Sequence, residues 1–307
     1  MHFSLRRACF VLCVALAGAI AVSRARADDA ETCANGTDDA KLAACTRAIE
    51  AGHLQGNVLA IQYRNRGLAY RSKGDDDRAI ADLDAAIRID PNFAEAYRIR
   101  GIVYRDKRDY DRAIADHNEA IRLDPKSVRA YVGRGIDYHA KGDLKLAIDD
   151  YTAAIRLDPT HASAYSKRCR AYLDAMSDLA LADCNEAIRL DPHLAEAYIN
   201  RGNYYDDQDR HDRAKADYDH AVAISDETIR SNPNDAGAYW DRARAHGFRD
   251  DLDRAIADLN EVIRLNPDFA GAYYLRGLTK QIQGDVRAGD ADLLKAKQID
   301  PASFGKR

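Results

Sequence analysis

The sequence lacks the short motifs that mark most enzyme and metal sites. It has nine histidines among 307 residues, but no pair of them is spaced to complete a zinc site with the cysteines. No nucleophile elbow, phosphate-binding loop or His-Glu metal motif occurs, and the acidic clusters lack the further oxygen ligands of a calcium site. His117 and His246 fall on core stripes of predicted helices, so we interpret them as packed side chains. We therefore expect no enzymatic activity, no metal and no cofactor.

An excess of basic charge is also missing. The chain has 46 lysines and arginines against 50 aspartates and glutamates, a formal net charge of −4. Four of these arginines lie in the first 27 residues, and without them 42 basic residues face the same 50 acidic ones, a net charge of −8. This balance argues against nucleic acid as a partner.

Long apolar runs are absent except at the start of the chain. Arg6 and Arg7 precede an apolar run from Ala8 to Val22, and the small residues Ala25 and Ala27 follow it. This layout is typical of a secretory signal peptide at residues 1–27, cleaved before Asp28, and the run is shorter than the ~20 residues of a membrane span. We expect a periplasmic or secreted protein without stable membrane insertion after cleavage. An uncleaved membrane anchor is the alternative.

No Gly/Ser-rich linker interrupts the chain, and the seven prolines punctuate it regularly. Successive prolines are 34, 34, 33, 41, 34 and 34 residues apart: Pro91, Pro125, Pro159, Pro192, Pro233, Pro267 and Pro301. A period in the thirties indicates stacked helical hairpins rather than one globular core.

The stretch from Ala94 to Pro125 represents the repeated unit. Tyr97, Gly101 and Tyr104 recur at helical spacing in its first half, and Ala113, His117, Ala120 and Ile121 do so in its second half. Two helices are therefore predicted. The turn between them is clearest at Lys141-Gly142-Asp143, where glycine can adopt a left-handed conformation and aspartate can cap the next helix.

This pattern resembles the tetratricopeptide repeat (TPR) family, whose signature is an aromatic residue followed by Leu-Gly, Tyr, Ala, Phe, Ala and Pro at these places. The resemblance implies an all-α fold, a right-handed superhelical solenoid of helix-turn-helix hairpins. We expect an N-terminal helical cap with a cysteine pair at residues 28–59, seven repeats within 60–301 and a tail at 302–307. The repeats are 60–91, 94–125, 128–159, 162–192, 195–233 (elongated), 236–267 and 270–301.

Every repeat has arginine at the seventh position, where the family usually has leucine. These arginines are Arg66, Arg100, Arg134, Arg168, Arg201, Arg242 and Arg276. Aspartate occupies the twenty-third position with equal regularity: Asp82, Asp116, Asp150, Asp183, Asp217, Asp258 and Asp292. The matching predicts a ladder of Arg-carboxylate pairs between helices. A row of phosphate-binding arginines is the alternative.

Four cysteines follow the leader, an even number that suits an oxidising compartment. Three pairings are possible. Cys169 and Cys184 occupy facing positions of one hairpin, so we predict the disulfides Cys169–Cys184 and Cys33–Cys45. Two buried free thiols, or a metal site, are the alternatives.

The fifth repeat is seven residues longer than the others, which predicts a second helix extended by about two turns, or ~10 Å. We favour an insertion that keeps helical phase, with a protruding docking edge as the alternative.

In the TPR family the first helix of each repeat lines the inner, concave surface. Transferred by position, the resemblance implies a peptide-binding set with arginines in the early repeats and aromatic residues in the late ones. The set is Arg64, Arg71, Arg98, Arg105, Arg129, Arg170, Asn203, Trp240, Arg244 and Tyr274.

We therefore expect a non-enzymatic scaffold that binds a peptide or a protein subunit in the concave groove, in the periplasm. Two other functions stay open: an accessory protein that presents substrate to a catalytic partner, and a structural protein that self-assembles. No sequence pattern fixes an oligomeric state.

The exported protein should begin at Asp28. Intact-mass spectrometry of protein purified from the periplasm or the medium measures this directly, and a mass that retains Met1 would contradict cleavage of the leader.

Overall fold

The computed structural model describes residue 29 and residues 31–301, and these residues form helices with short turns and no strands. The predicted leader and the tail lie outside the described residues. A short helical segment at 31–35 precedes fifteen helices. They are α1 (Asp38–Glu50), α2 (Gly56–Ser72), α3 (Asp76–Ile89), α4 (Ala94–Asp106), α5 (Tyr110–Leu123), α6 (Val128–Lys141), α7 (Leu144–Leu157), α8 (Ala162–Asp174), α9 (Ala180–Leu190), α10 (Ala195–Asp207), α11 (His211–Ser231), α12 (Ala236–Phe248), α13 (Leu252–Leu265), α14 (Ala270–Ile282) and α15 (Val286–Ile299).

The architecture is an all-α helical solenoid built from hairpins. Helices α2 and α3 pack as one hairpin, as do α4–α5, α8–α9, α10–α11, α12–α13 and α14–α15. The described residues up to Asp137 form one compact unit, and those from Tyr138 onward form a second. We refer to them as the N-terminal and C-terminal units.

The turn inside each hairpin contains one residue with positive φ, and only three of these residues are glycine. Gly142 has φ of 85°, as the sequence predicts, whereas Arg108, Met176, Asp209 and Asp250 adopt 62°, 52°, 55° and 61° at the matching position. A left-handed backbone is costly for side chains with a Cβ, so the surrounding hairpin must impose it. Asp143 makes no capping hydrogen bond, contrary to expectation.

The predicted arginine ladder is confirmed. In six hairpins Nε and Nη2 of the arginine donate to the two carboxylate oxygens of one aspartate, at 2.6–2.9 Å and 2.6–2.8 Å. The aspartates are only 4–7% exposed. These pairs are Arg66–Asp82, Arg100–Asp116, Arg168–Asp183, Arg201–Asp217, Arg242–Asp258 and Arg276–Asp292. We call these arginines, together with Arg134, the ladder arginines.

The third nitrogen of each ladder arginine ties its hairpin to the preceding one. Arg100 Nη1 donates to Asp84 at 2.5 Å, Arg201 Nη1 to Asn185 at 2.8 Å, and five others make the equivalent contact. The guanidinium carbon also lies 5.4–5.7 Å from the ring centroid of the tyrosine three residues earlier, a cation–π distance. In the six pairs named above, the Nε/Nη2 edge, Nη1 and the tyrosine contact are therefore all used within the fold, and the ladder is structural.

Small and large residues face each other across each hairpin. A Cβ built on Gly202 would lie 2.4 Å from the Tyr218 ring, and one on Gly101 would lie 2.9 Å from His117. Cys169 and Cys184 occupy the same facing positions and are joined as a buried disulfide, as are Cys33 and Cys45. Both predicted pairs thus have their sulfur atoms at bonding distance.

Helix α11 has 21 residues, against 14 in α3, α5, α7, α13 and α15. It stays continuous from His211 to Ser231. The extra turns are therefore packed helix, in phase with the rest, and not a loop.

Asp116→Asn should lower the free energy of unfolding by about 2–3 kcal/mol, because a buried arginine fork loses its charged partner. Glu119→Gln is the matched control on the same helix: Glu119 also pairs with an arginine, but Arg122 is 64% exposed, so about 0–1 kcal/mol is expected. Urea denaturation followed by circular dichroism measures both. Equal small losses would contradict a structural ladder.

Candidate functional site

Three of the predicted peptide-binding arginines meet around one carboxylate in the N-terminal unit. Arg98 donates to Glu95 at 2.6 and 2.8 Å, while Arg64 and Arg129 make no hydrogen bond among the described residues. Burial alone would raise the pKa of Glu95, but Arg98, Arg64 and Arg129 hold it below its ordinary value. Positive charge therefore exceeds negative charge at this point.

Arg64 is the least satisfied of the three. Its Nε atom is buried without a hydrogen-bond partner, and its guanidinium lies 5.7 Å from the Phe93 ring. Burial lowers its pKa. An enclosed arginine with unused donors is energetically costly, and an anionic group of a ligand would offset that cost.

The other two early arginines are already paired. Arg71 Nε donates to Asp106 at 2.7 Å. Arg105 Nη1 lies 3.3 Å from Asp137, whose other oxygen lies 2.7 Å from Nδ1 of the fully buried His117. His117 is thus a packed side chain, as predicted, and its partner is a buried carboxylate.

A second charged cluster occupies the C-terminal unit, on α8, α10 and α12. Lys167 Nζ donates to both oxygens of Glu196, at 2.7 and 2.9 Å. Asp174 accepts from Arg170 Nε at 3.2 Å and lies 2.7 Å from His139 Nε2. Burial favours protonation of Glu196, yet Lys167, Arg244 and Arg170 keep its pKa below the ordinary value.

Asp241 and Arg244 are the incompletely bonded members of this cluster. Their closest atoms, Oδ1 and Nη1, are 3.6 Å apart, with side-chain exposures of 25% and 14%. Neither side chain makes a hydrogen bond within the part of the chain that the structure describes. Burial raises the pKa of Asp241 to about 6 and lowers that of Arg244.

The predicted aromatic residues are half-buried and do not stand free in solvent. The Trp240 ring meets Phe269 edge-on, with centroids 4.9 Å apart, and packs on the cluster around Leu259 and Val262. Tyr274 is also half-buried. Asn203 accepts a hydrogen bond from the Tyr218 hydroxyl at 3.0 Å, so it is partly engaged by the fold.

The predicted site set omitted the carboxylates Glu95, Glu196 and Asp241 and the cation Lys167. A signal was present for two of them. The sixth position of the repeat holds Lys167 and Asp241 in two repeats but Ile99 and Leu275 in others, and a position that varies while the hairpin stays constant is free to serve a ligand.

No group of His, Cys, Asp and Glu residues within residue 29 and residues 31–301 is arranged to hold a metal ion. Among the same residues, no helix combines the length and the apolar character needed to cross a bilayer. The two clusters can provide hydrogen bonds and charge to a bound chain.

His246, at 4% exposure, has its pKa lowered by burial and is packed as predicted.

Family models for the tetratricopeptide repeat match most of the repeated region. A model described as TPR repeat matches residues 67–107. Two models described as Tetratricopeptide repeat match residues 98–162 with 241–301, and residues 195–228. No curated protein matches the sequence.

Solved structures of similar fold include yeast Tom70, with 18% sequence identity and a TM-score of 0.57, covering 87% of this chain and 57% of that one. Cut9 in the APC/C hetero-tetramer Cut9–Hcn1 has 16% identity and a TM-score of 0.57, covering 85% of this chain and 50% of that one. MamA from Desulfovibrio magneticus has 24% identity and a TM-score of 0.48, covering 55% and 96%. This chain thus spans little more than half of Tom70 and half of Cut9, and the likeness concerns the fold alone.

Asp241 should make stability depend on pH in a defined direction. Its native pKa of about 6 lies above the ordinary aspartate value of 3.8, so the native state binds the proton more tightly than the unfolded chain. Its contribution is complete below about pH 4 and is lost as pH rises through about 6.

The difference in unfolding free energy between the native sequence and Asp241→Asn should therefore fall with rising pH, by up to about 3 kcal/mol between pH 4 and 7. Urea denaturation at several pH values measures it, with the exposed Asp268→Asn as control. A difference that is flat, or that grows with pH, would contradict the burial of Asp241.

Proposed function

The chain belongs to the tetratricopeptide repeat family, and on this premise we propose that it is a non-enzymatic scaffold that binds a peptide segment of a protein partner. The segment lies along the first helices of the hairpins. In the N-terminal unit these are α2, α4 and α6, which carry the predicted arginines.

The observation that carries the proposal is the division of the arginines into two kinds. The ladder arginines have their donors occupied and serve the fold. Arg64 and Arg129 have no hydrogen-bonded carboxylate within the described residues, although Arg64 is half-buried. Around Glu95 three guanidinium groups face one carboxylate, so an acidic side chain of the partner would complete the set.

The place of action that we propose is the periplasm, or the medium after secretion. Two cysteine pairs at disulfide distance support it, because stable disulfides belong to oxidising compartments. The leader pattern at residues 1–27 points the same way.

A second candidate is self-assembly through the C-terminal end of the array. Ile282, Val286 and Leu294 are 70%, 55% and 58% exposed on the last hairpin, and exposed apolar side chains are what an association surface requires. Sedimentation equilibrium distinguishes this candidate, since a monomer at every concentration argues against it. Presentation of substrate to a catalytic partner is a special case of the scaffold, with an enzyme as the protein bound.

Site-specific crosslinking tests the scaffold in cells. A photoreactive amino acid that replaces Ile102 on α4 should capture a partner. The same photoreactive amino acid in place of the exposed Arg122 on α5 should not. Arg64→Gln combined with Arg129→Gln should lower the yield about tenfold, since two charge-assisted hydrogen bonds are lost.

Arg122→Gln combined with Arg189→Gln is the matched control, because it removes two exposed arginines from second helices. Capture that is equal from position 122, or unchanged in the Arg64/Arg129 variant, would overturn binding along the first helices.

A further inference from the structure

The long second helix of the fifth repeat, α11, makes its contacts to the two neighbouring first helices at two separate places along its length. In each second helix one aspartate binds the ladder arginine of its own hairpin, and a later side chain binds the ladder arginine of the next hairpin. In other hairpins these two side chains are two positions apart, as in Asp116 and Asn118. In α11 they are nine positions apart: Asp217 binds Arg201, and Asp226 binds Arg242. The helix therefore presents one contact set to its own hairpin and a second, seven residues later, to the next.

A contact made by the residue just after each first helix shows the same displacement. Lys107, after α4, donates to Asp77 in the first turn of α3. Gln283, after α14, donates to Asp253 in the first turn of α13. The corresponding Arg249 pairs instead with Asp219, seven residues further along α11. Helix α12 is thus shifted along α11 by seven residues, or ~10 Å.

This shift brings together side chains that an unbroken array would keep apart. Glu95, the second residue of α4, has the second residue of α6, Arg129, among its cationic neighbours. Glu196, the second residue of α10, has the ninth residue of α12, Arg244, among its cationic neighbours. The insertion thus places Asp241 and Arg244 of α12 beside the Lys167–Glu196 pair, which joins α8 to α10.

Within this cluster, Asp241 is an acceptor residue and Arg244 a donor residue whose side chains no described residue binds by a hydrogen bond. Both oxygens of Glu196 are bound by Lys167. Asp241 and Arg244, 3.6 Å apart and at most a quarter exposed, make no hydrogen bond to any described residue. The pair thus offers a carboxylate acceptor beside a guanidinium donor.

We propose that Asp241 and Arg244 bind amide groups of a peptide, with Asp241 accepting an amide N–H and Arg244 donating to an amide C=O. The inference rests on the proposed scaffold function and names the chemistry of one subsite. A ligand carboxylate is repelled there by Asp241 and Glu196, and an ammonium group by Arg244 and Lys167. An amide is neutral and carries both a donor and an acceptor.

Two sources present an amide N–H and an amide C=O to the same side. One is the primary carboxamide of Asn or Gln. The other is a single residue of an extended backbone, which presents both groups to one side as in an antiparallel sheet. The experiment below distinguishes them.

Trp240 is a built-in reporter of this subsite. It is the one tryptophan of the chain and lies one helical turn before Arg244, on the same face of α12. A peptide bound to Asp241 and Arg244 therefore changes its emission without any added label.

The test is a fluorescence titration of the full protein with the pentapeptides acetyl-Ala-Ala-X-Ala-Ala-N-methylamide, which have no terminal primary carboxamide, where X is Gln, Ala, Glu or Lys. Saturable binding with X = Gln above X = Ala assigns a side-chain carboxamide, and equal binding of the two assigns the backbone. Tightest binding with X = Glu or X = Lys overturns the proposal, as does the absence of saturation for all four.

Asp241→Ala and Arg244→Gln should each weaken the peptide bound best by about tenfold. Glu186→Gln and Arg189→Gln are the matched controls, because they alter an exposed Glu–Arg pair of the same unit. Deletion of residues 219–225 restores the two-residue spacing and should abolish binding while circular dichroism stays helical. Binding that survives in both point variants overturns the subsite.

Failure of this subsite differs from failure of the scaffold. If peptides do not bind but crosslinking from Ile102 persists, the amide subsite is wrong and the scaffold stands. If both measurements fail, the scaffold itself is wrong.

Discussion

Each ladder arginine contacts three helices at once, and the packing of the hairpins depends on it. Its fork to a buried aspartate closes its own hairpin, and its third nitrogen fixes the position of the hairpin before it. A leucine at this position, as the family usually has, could pack against its neighbours but could not form hydrogen bonds of defined geometry. The guanidinium sets the relative position of neighbouring helices through hydrogen bonds of defined geometry, at the cost of desolvating a charge.

Because the ladder uses its arginines completely, the remaining charged residues of the first helices can be judged by what they leave unused. Arg71, Arg98 and Arg105 are neutralised by carboxylates nearby. Arg64, and the pair Asp241 and Arg244, keep unused hydrogen-bonding capacity in partly enclosed surroundings. Arginines with similar charge and exposure can thus be divided into structural and candidate binding residues. The distinction is whether their donors are already hydrogen-bonded within the fold.

The repeated pattern predicted the hairpins, the ladder and the Cys169–Cys184 pair, because each of these follows from positions that recur within a hairpin, and Cys33–Cys45 was the pair that remained. The positive φ of Arg108, Met176 and Asp250 was not predictable from residue type, since the hairpin imposes it against local preference. The partners Glu95 and Glu196 were also missed, because contacts between neighbouring first helices depend on how far one hairpin is shifted against the next. The sequence showed that the fifth repeat is longer but not that the following helix moves with it.

The length of that insertion is itself explained by the ladder. Seven residues advance an α-helix by nearly two whole turns, so the second copy of a side chain lies within about 20° of the first. Asp217 and Asp226 can then both face arginines, one on α10 and one on α12. An insertion of two or five residues would rotate the second contact set by about 160° or 140° and break the link to Arg242. The ladder therefore permits a change of register only in steps close to whole turns, and such a step gives the inner helices a new set of neighbours without disturbing either hairpin.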